Sequence, residues 1–174
     1  DFKINSSIIR ISESKKSVFI DISVTEGEKY YIAGSELSGK FENIPKHELQ
    51  AQITTYKGQV FNRGEVTATT ARLNQILGEY GYAFSNANAI PEVNKEERTV
   101  SFNYFIDPGK KIYVRRINFF GNEKTKDKVV RRELRQFESS WYSKSRVDRS
   151  KARLSNTQYF DAIDIKTANV PGVT

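Results

Sequence analysis

The sequence predicts an α+β chain of tandem β-α-α-β-β units, and three observations carry the prediction. A register 82 residues long repeats: Val18 to Ile32 (VFIDISVTEGEKYYI) lies over Val100 to Val114 (VSFNYFIDPGKKIYV), and the pairs Val18/Val100, Gly27/Gly109, Tyr31/Tyr113 and Gly39/Gly121 keep one offset. Runs of alternating apolar residues give way to runs with apolar residues three and four apart, the periods of a strand and of a helix. A chain of 174 residues has room for one ordinary domain or two small ones. The repeat selects two of about 75–80 residues each, near the lower limit for an independent core. Long-period repeats are modules in an array, which mostly bind or scaffold, whereas catalysis needs one unique constellation.

Phe2 to Ile11 alternates, Ser12 to Lys16 reads as a polar turn, and Val18 to Val24 alternates again, which predicts a β-hairpin with one face buried. After Gly27, Tyr30 to Leu37 is a further strand. Pro45, tolerated at a first helical position, starts a short helix with Leu49, Ile53 and Tyr56 on one side. Lys57-Gly58-Gln59 breaks it. Arg63 to Tyr80 carries Val66, Leu73, Ile76, Leu77 and Tyr80 at helical spacing, with Gly81 placed as the C-terminal cap. Ala83 to Val93 and Arg98 to Ile106 are strands around the turn Asn94 to Glu97.

The second copy keeps this order. Lys111 to Phe120 is a strand, Gly121-Asn122 its turn, and Thr125 caps a helix carrying Val129, Val130, Leu134 and Phe137. Arg146 to Asn156 is the second helix, with Val147 and Leu154 inward; Asp161 to Thr167 is a strand and Val170-Pro171-Gly172 a turn. Aligning Tyr80-Gly81-Tyr82 with Gln158-Tyr159-Phe160 lowers the offset to 78 within the helical region. The expected division is therefore a hairpin of a preceding unit at 1–26, a complete unit at 27–107, and a last unit at 108–174 whose final strand is missing. The linkers Thr25–Lys29 and Asp107–Lys110 are short.

Composition narrows the function classes. No Cys and one His leave no disulfide framework, no thiolate chemistry and no basis for a zinc site or a Cys/His or Ser/His triad. Mean hydropathy of −0.61 and the absence of an apolar run near the ~20 residues of a membrane helix describe a soluble surface. No signal-like segment opens the chain, which is the expectation for a mature protein or an excised piece. Net charge +7 predicts attraction to acidic partners, lipid head groups or nucleic acid, beside the plainer reading of solubility and local pairing.

Single motifs mostly take the plainer reading. Gly34 to Lys40 (GSELSGK) matches seven positions of a phosphate-binding loop, but Phe41 stands where a hydroxyl is needed, and Glu42-Asn43-Ile44-Pro45 does not start a helix at Lys40. His47 among polar neighbours reads as exposed, and Glu96-Glu97 as a solvated turn. Arg131-Arg132-Glu133-Leu134-Arg135 is the densest basic run, placing Arg131 and Arg135 on one helix side and Arg132 on another. Phe119, Phe120 and Phe137 read as core-facing or boundary residues, so this run is expected to pair with protein carboxylates rather than with nucleic acid. Trp141, the only Trp, reads as a ring closing the helix pair or as a partner contact.

Tyr113 to Asn122 (YVRRINFFGN), Thr125, Val130 to Glu133, Phe137 to Trp141 (FESSW), Lys151 to Leu154 and Tyr159-Phe160 together resemble the last POTRA (polypeptide-transport-associated) domain of the BamA-type outer-membrane protein assembly factors. Leu73 to Phe84 is similar to the second helix and following strand of the penultimate one. The resemblance spans nearly the whole chain; it departs at Ser139, where the family often has Gly. It implies tandem POTRA domains, each a three-stranded mixed sheet covered on one face by two antiparallel helices. It further implies a parent protein of a Gram-negative bacterium with periplasmic POTRA domains and a C-terminal outer-membrane barrel. That protein folds and inserts other barrel proteins without covalent chemistry, cofactor or metal. The implied partners are nascent outer-membrane proteins, accessory assembly lipoproteins and the protein's own barrel, with no nucleic acid.

In such a unit the edge strands carry unpaired backbone groups that can add an incoming strand. The candidate edges are Ala83–Val93, with Ala83, Ser85, Ala87 and Ala89, and Asp161–Thr167, with Asp161, Ile163 and Ile165. Glu138, between the helices of the last unit, matches the family position expected to pair with a basic residue of a lipoprotein; Trp141, Arg131, Arg132 and Arg135 are further candidates. The competing readings are the POTRA region of a two-partner secretion transporter or a division protein, and a basic nucleic-acid-binding repeat protein.

Overall fold

The computed structural model describes residues 2–12, 14–41 and 44–170. Among them run β1 (Phe2–Ile11), β2 (Val18–Glu26), β3 (Tyr31–Gly39), α1 (Lys46–Gln50), α2 (Arg63–Glu79), β4 (Asn86–Asn94), β5 (Thr99–Asp107), β6 (Tyr113–Val114), α3 (Asp127–Glu133), β7 (Ser140–Trp141) and α4 (Lys144–Asn156). Part of the turn expected at Val170-Pro171-Gly172, and Glu42-Asn43 before Pro45, lie outside the described residues.

β1 and β2 form the expected antiparallel hairpin, with a register shift between Ile4 and Ser6. Among the described residues neither face is covered: Ile8, Ile9, Phe19, Ile20 and Ile22 are all more than half exposed. The alternation is real, but no element lies over either face among the described residues, and alternation buries nothing without a covering layer.

Residues 31–107 fold as a mixed sheet in the order β3-β5-β4, with β3 parallel and β4 antiparallel to the central β5. A parallel pair needs a long crossover, and α1 and α2 belong to it. Val100, Phe102, Tyr104 and Ile106 alternate onto one face of β5 and, with Ile32, pack against Leu49, Val66, Leu73 and Leu77. Tyr104 is fully buried; its hydroxyl lies 3.2 Å from Thr55 Oγ1, which lies 2.7 Å from Ser35 Oγ, so the polar tip of the ring is satisfied inside the core. The run Gly34 to Gly39 is strand β3, held in a ladder with β5, and so is not a phosphate-cradling loop.

α2 starts at Asn62, whose Oδ1 accepts from Gly64 N at 2.8 Å, and Gly81 follows it in the left-handed region, φ +99°, as expected of a helix-ending glycine. Two expectations fail here. α1 ends at Gln50 and Tyr56 is exposed, so the one-sided helix stops a turn early. β4 begins at Asn86, because residues 82–85 form a turn closed by Ser85 N donating to Tyr82 O; Ala83 and Ser85 are therefore not strand residues.

In the last unit α3 and α4 meet through Val130, Leu134 and Leu154, with Ile117, Phe119, Phe160 and Ile163 packed around them. Lys126, not Thr125, occupies the N-cap of α3 and makes no side-chain cap bond. The helix ends at Glu133 because Leu134 turns extended, so Arg135 and Phe137 lie beyond it, and Phe137 is exposed. The strand expected at 111–120 shrinks to Tyr113-Val114, and Asp161, Ile163 and Ile165 belong to no strand. In the complete unit both flanking strands hydrogen-bond to β5; the last unit has no such central strand among the described residues, so those segments have no ladder to join.

Candidate functional site

Three surfaces carry the sequence-level candidates. The first is the outer edge of β4. Ala87 N–H turns away from β5 and donates to Asn74 Oδ1 of α2 at 3.0 Å. Because backbone groups alternate sides along an antiparallel strand, the outward groups are those of Ala87, Ala89, Pro91 and Val93. Of these donors, the Asn74 side chain occupies one and Pro91 has none, so Ala89 and Val93 hold the open N–H groups. This is an edge half-blunted against indiscriminate pairing. The other edge, β3, is covered over its first half: Ile32 N donates to Gln59 O, and Gly58 N to Ile32 O.

The second surface is the loop between α3 and α4. Ser139 is in the left-handed region, φ +54°, so the sequence departs from glycine at a place where glycine fits the backbone. Glu138 accepts from Ile117 N at 2.7 Å and from Arg131 Nη1 at 3.2 Å. Arg131 also donates to Ile117 O and lies 4.8 Å over the Phe119 ring. The structure therefore brings Glu138 and Arg131 together as an internal staple. Arg132 turns to Glu133, which Arg153 of α4 also binds, at 2.6 Å, and Arg135 hydrogen-bonds the Leu134 carbonyl. Trp141 and Tyr113 meet edge to face at 5.4 Å, with Lys111 Nζ 4.9 Å from the Trp141 ring; both rings are about half exposed. This aromatic pair is the accessible part of the loop surface.

The Glu133 and Glu138 carboxylates both sit below the usual carboxylate range. The Arg153 hydrogen bond, more than its charge, lowers Glu133, and the Ile117 N–H followed by Arg131 lowers Glu138. A depressed folded-state value means stability that is fully present above the ordinary carboxylate value of 4.5 and is lost as pH falls through the folded one. The thermal midpoint of the last unit is thus expected to drop as pH is taken below 4.5. Glu138→Gln should flatten that drop, and an unchanged pH profile in this variant would discount the staple.

The third surface, which the sequence reading missed, joins the two units. Glu79, in the last turn of α2, accepts from Ser143 Oγ (2.8 Å), Ser145 N (2.5 Å) and Ser145 Oγ (2.8 Å) at the start of α4. The first turn of α4 has no acidic residue of its own, so this carboxylate supplies the negative charge a helix N-terminus favours. The available signal was Ser143-x-Ser145 at a helix start lacking an acidic partner.

A mixed sheet crossed over by helices, followed in the same sequence register by a second helix pair, defines an α+β module of a tandem-repeat class. A family model described as POTRA, surface antigen variable number repeat, matches residues 30–109 and again 112–174. The outer membrane protein assembly factor BamA of Neisseria meningitidis is 38% identical over 172 residues, covering 99% of this chain and 22% of that protein. BamA of Buchnera aphidicola is 30% identical over 165 residues, covering 94% of this chain and 26% of its own length. Among solved structures, Haemophilus influenzae BamA POTRA3-5 matches at TM-score 0.83 and 25% identity, covering 99% of this chain and 68% of that one. Haemophilus ducreyi BamA lacking POTRA domains 1-3 matches at 0.71 and 34%, covering 82% and 27%. The chain belongs to the POTRA family and is a POTRA module of the BamA type; it spans about a quarter of the length of these curated relatives.

Proposed function

We propose that the chain is part of the periplasmic arm of an outer-membrane β-barrel assembly factor. In this reading residues 27–107 and 108–174 are its penultimate and last POTRA domains, and 1–26 the hairpin of the one before. The module receives nascent outer-membrane proteins by strand addition, and accessory lipoproteins dock on the last domain around Glu138 and Trp141, with Arg131, Arg132 and Arg135 at the margin. Its observation is the β4 edge: Ala89 and Val93 offer a spaced pair of donors, which gives affinity for any extended segment with little demand on sequence. Glu138 acts here as a positioning residue that holds the Trp141 loop, since its carboxylate is engaged within the domain.

The test is titration of a β-strand peptide from an outer-membrane protein, followed by amide chemical shifts. Perturbations are expected along β4, centred on Ala89 and Val93. Ala89→Pro removes an outward donor without touching the ladder to β5 and is expected to weaken binding about tenfold, on the order of the one or two hydrogen bonds lost. Perturbations centred on another element and indifferent to Ala89→Pro would refute strand addition at β4.

A further inference from the structure

We infer that the cleft at the joint of the two units is a side-chain subsite for the strand added at β4, taking one aromatic residue with a polar tip, Tyr or Trp. The inference rests on the proposed strand addition at the β4 edge, and it names the residue class that this edge selects.

The cleft holds about 270 Å³. Sites for free drug-sized ligands run to ~300–1,000 Å³, so this one is sized for a single side chain. α2 lines it with Ala71, Asn74 and Gly78, and the last unit with Tyr142, Lys144 and Asp148, so neither unit forms it alone.

Its chemistry selects a neutral guest. Lys144 Nζ and Asp148 Oδ1 pair at 2.6 Å, so the two charges cancel. Tyr142 is 8% exposed, and its hydroxyl has no hydrogen-bond partner among the described residues. No side-chain oxygen or nitrogen among those residues is both fully buried and unpaired. The hydroxyl is therefore the part of the ring left open, and it opens on the cleft. A buried ring with a free hydroxyl, beside the small residues Ala71, Gly78 and Ala83, suits a guest with a flat apolar body and one polar atom. A carboxylate or an ammonium would have to break the Lys144–Asp148 pair to find a partner.

Position ties the cleft to the edge. Asn74 lines the cleft and also holds the Ala87 N–H, the first outward donor of β4. An added strand therefore pairs through Ala89 and Val93 and loses its ladder at Ala87. Residues that face each other across a ladder share one face of the sheet. Ala87 and Ala89 turn to the helix layer, where they pack on the core. The guest residue opposite Ala87 points the same way, toward α2, and Ala83 and Ser85 just before β4 lead into the cleft. Asn74 ends the backbone pairing where side-chain capture begins.

This face is one the fold leaves open. Counted from the N-caps Ser143 and Asn62, Ser150 and Leu154 of α4 match Thr69 and Leu73 of α2, and all four are buried. Lys144 and Asp148 match Arg63 and Thr67, which are exposed although the complete unit has its whole sheet. The cleft thus lies on a side of α4 that the sheet of such a unit does not cover.

The experiment takes the outer-membrane strand peptide with every aromatic residue replaced by Ala, and restores one Tyr or one Phe at each alternate position in turn. At one position Tyr is expected to tighten binding about tenfold over Ala, and Phe about threefold. Amide shifts with that tyrosine peptide should extend from β4 to Ala83, Ser85 and residues 142–148. Ala71→Phe, which fills the cleft from an exposed position on α2, should bring the tyrosine peptide down to the affinity of its alanine version. Tyr142→Phe should remove the advantage of Tyr over Phe. The absence of any aromatic preference, or a preference that survives Ala71→Phe, would overturn the inference while leaving strand addition standing. p-Cresol, a tyrosine side chain without a backbone, probes the cleft with no strand present. It should shift the Gly78 and Tyr142 amides with a Kd on the order of a millimolar, and lose the effect in Ala71→Phe. Such shifts without peptide binding would support the cleft and count against strand addition alone.

Discussion

Gly39→Ala is expected to remove most of the stability of the complete unit, while Gly121→Ala, its counterpart in the repeat, costs about 1–2 kcal/mol. Both glycines are left-handed, at φ +105° and +77°, so an alanine is strained at either. The difference is space. A Cβ on Gly39 would sit 2.1 Å from the Ile106 carbonyl oxygen and 2.7 Å from its nitrogen, all backbone of the central strand, whereas the described residues include no central strand beside Gly121 and nothing lies within 4 Å of it. Backbone cannot rotate aside as a side chain can, so β3 must part from β5 at the register pair Gly39–Ile106, and Lys40 loses its bond to Ile106 O. That places the cost above about 4 kcal/mol, in the range reserved for specific mechanisms such as strain and broken ladders. Urea unfolding followed by far-ultraviolet circular dichroism would show it, and equal midpoints for the two variants would show the two turns to be equivalent.

How much of this was legible follows from where each signal lives. The complete unit was, because Val100, Phe102, Tyr104 and Ile106 alternate and Val66, Leu73 and Leu77 recur at helical spacing, and both patterns end on a buried face. The hairpin showed the same alternation, and no layer that would cover either face is among the described residues. The segment Asp161–Thr167 is not a strand, since the neighbour it would pair with is not among the described residues and a strand is defined by its neighbour. Glu138 and Trp141 were found through resemblance, yet the engagement of Glu138 with Ile117 N and Arg131 depends on a left-handed Ser139 that no residue pattern signals. The half-blunted edge rests on Asn74 reaching Ala87, a contact between residues 13 apart that belongs to packing rather than to sequence.

The joint is the place where a single carboxylate should have the widest reach. Glu79→Ala removes three hydrogen bonds to a charged acceptor at the head of α4, a loss of about 2–3 kcal/mol once partial exposure is allowed for. Gly78→Val attacks the same contact by volume, since even a bare Cβ would lie 2.6 Å from Lys144 Cβ. Neither substitution touches Leu73 or Leu77, so both units are expected to keep their secondary structure. Their coupling should weaken: the ties that remain after Glu79→Ala include Ile112 N donating to Gly81 O at 2.8 Å, Tyr142 N donating to Ile112 O, the Lys111 stem lying against Gly81, and the packing of α2 on α4 at Gly78 and Lys144. Amide relaxation should then report separate tumbling times for residues 31–107 and 113–156 in place of a shared one, with Glu79→Gln intermediate because it keeps an acceptor but not the charge. A shared tumbling time that survives Glu79→Ala but not Gly78→Val would assign the coupling to the packing of α2 on α4, and one that survives both to the backbone ties. The physical reason to expect otherwise is that those ties run along one strand of chain and leave rotation about it free. The Glu79 contact lies off that axis and opposes the rotation.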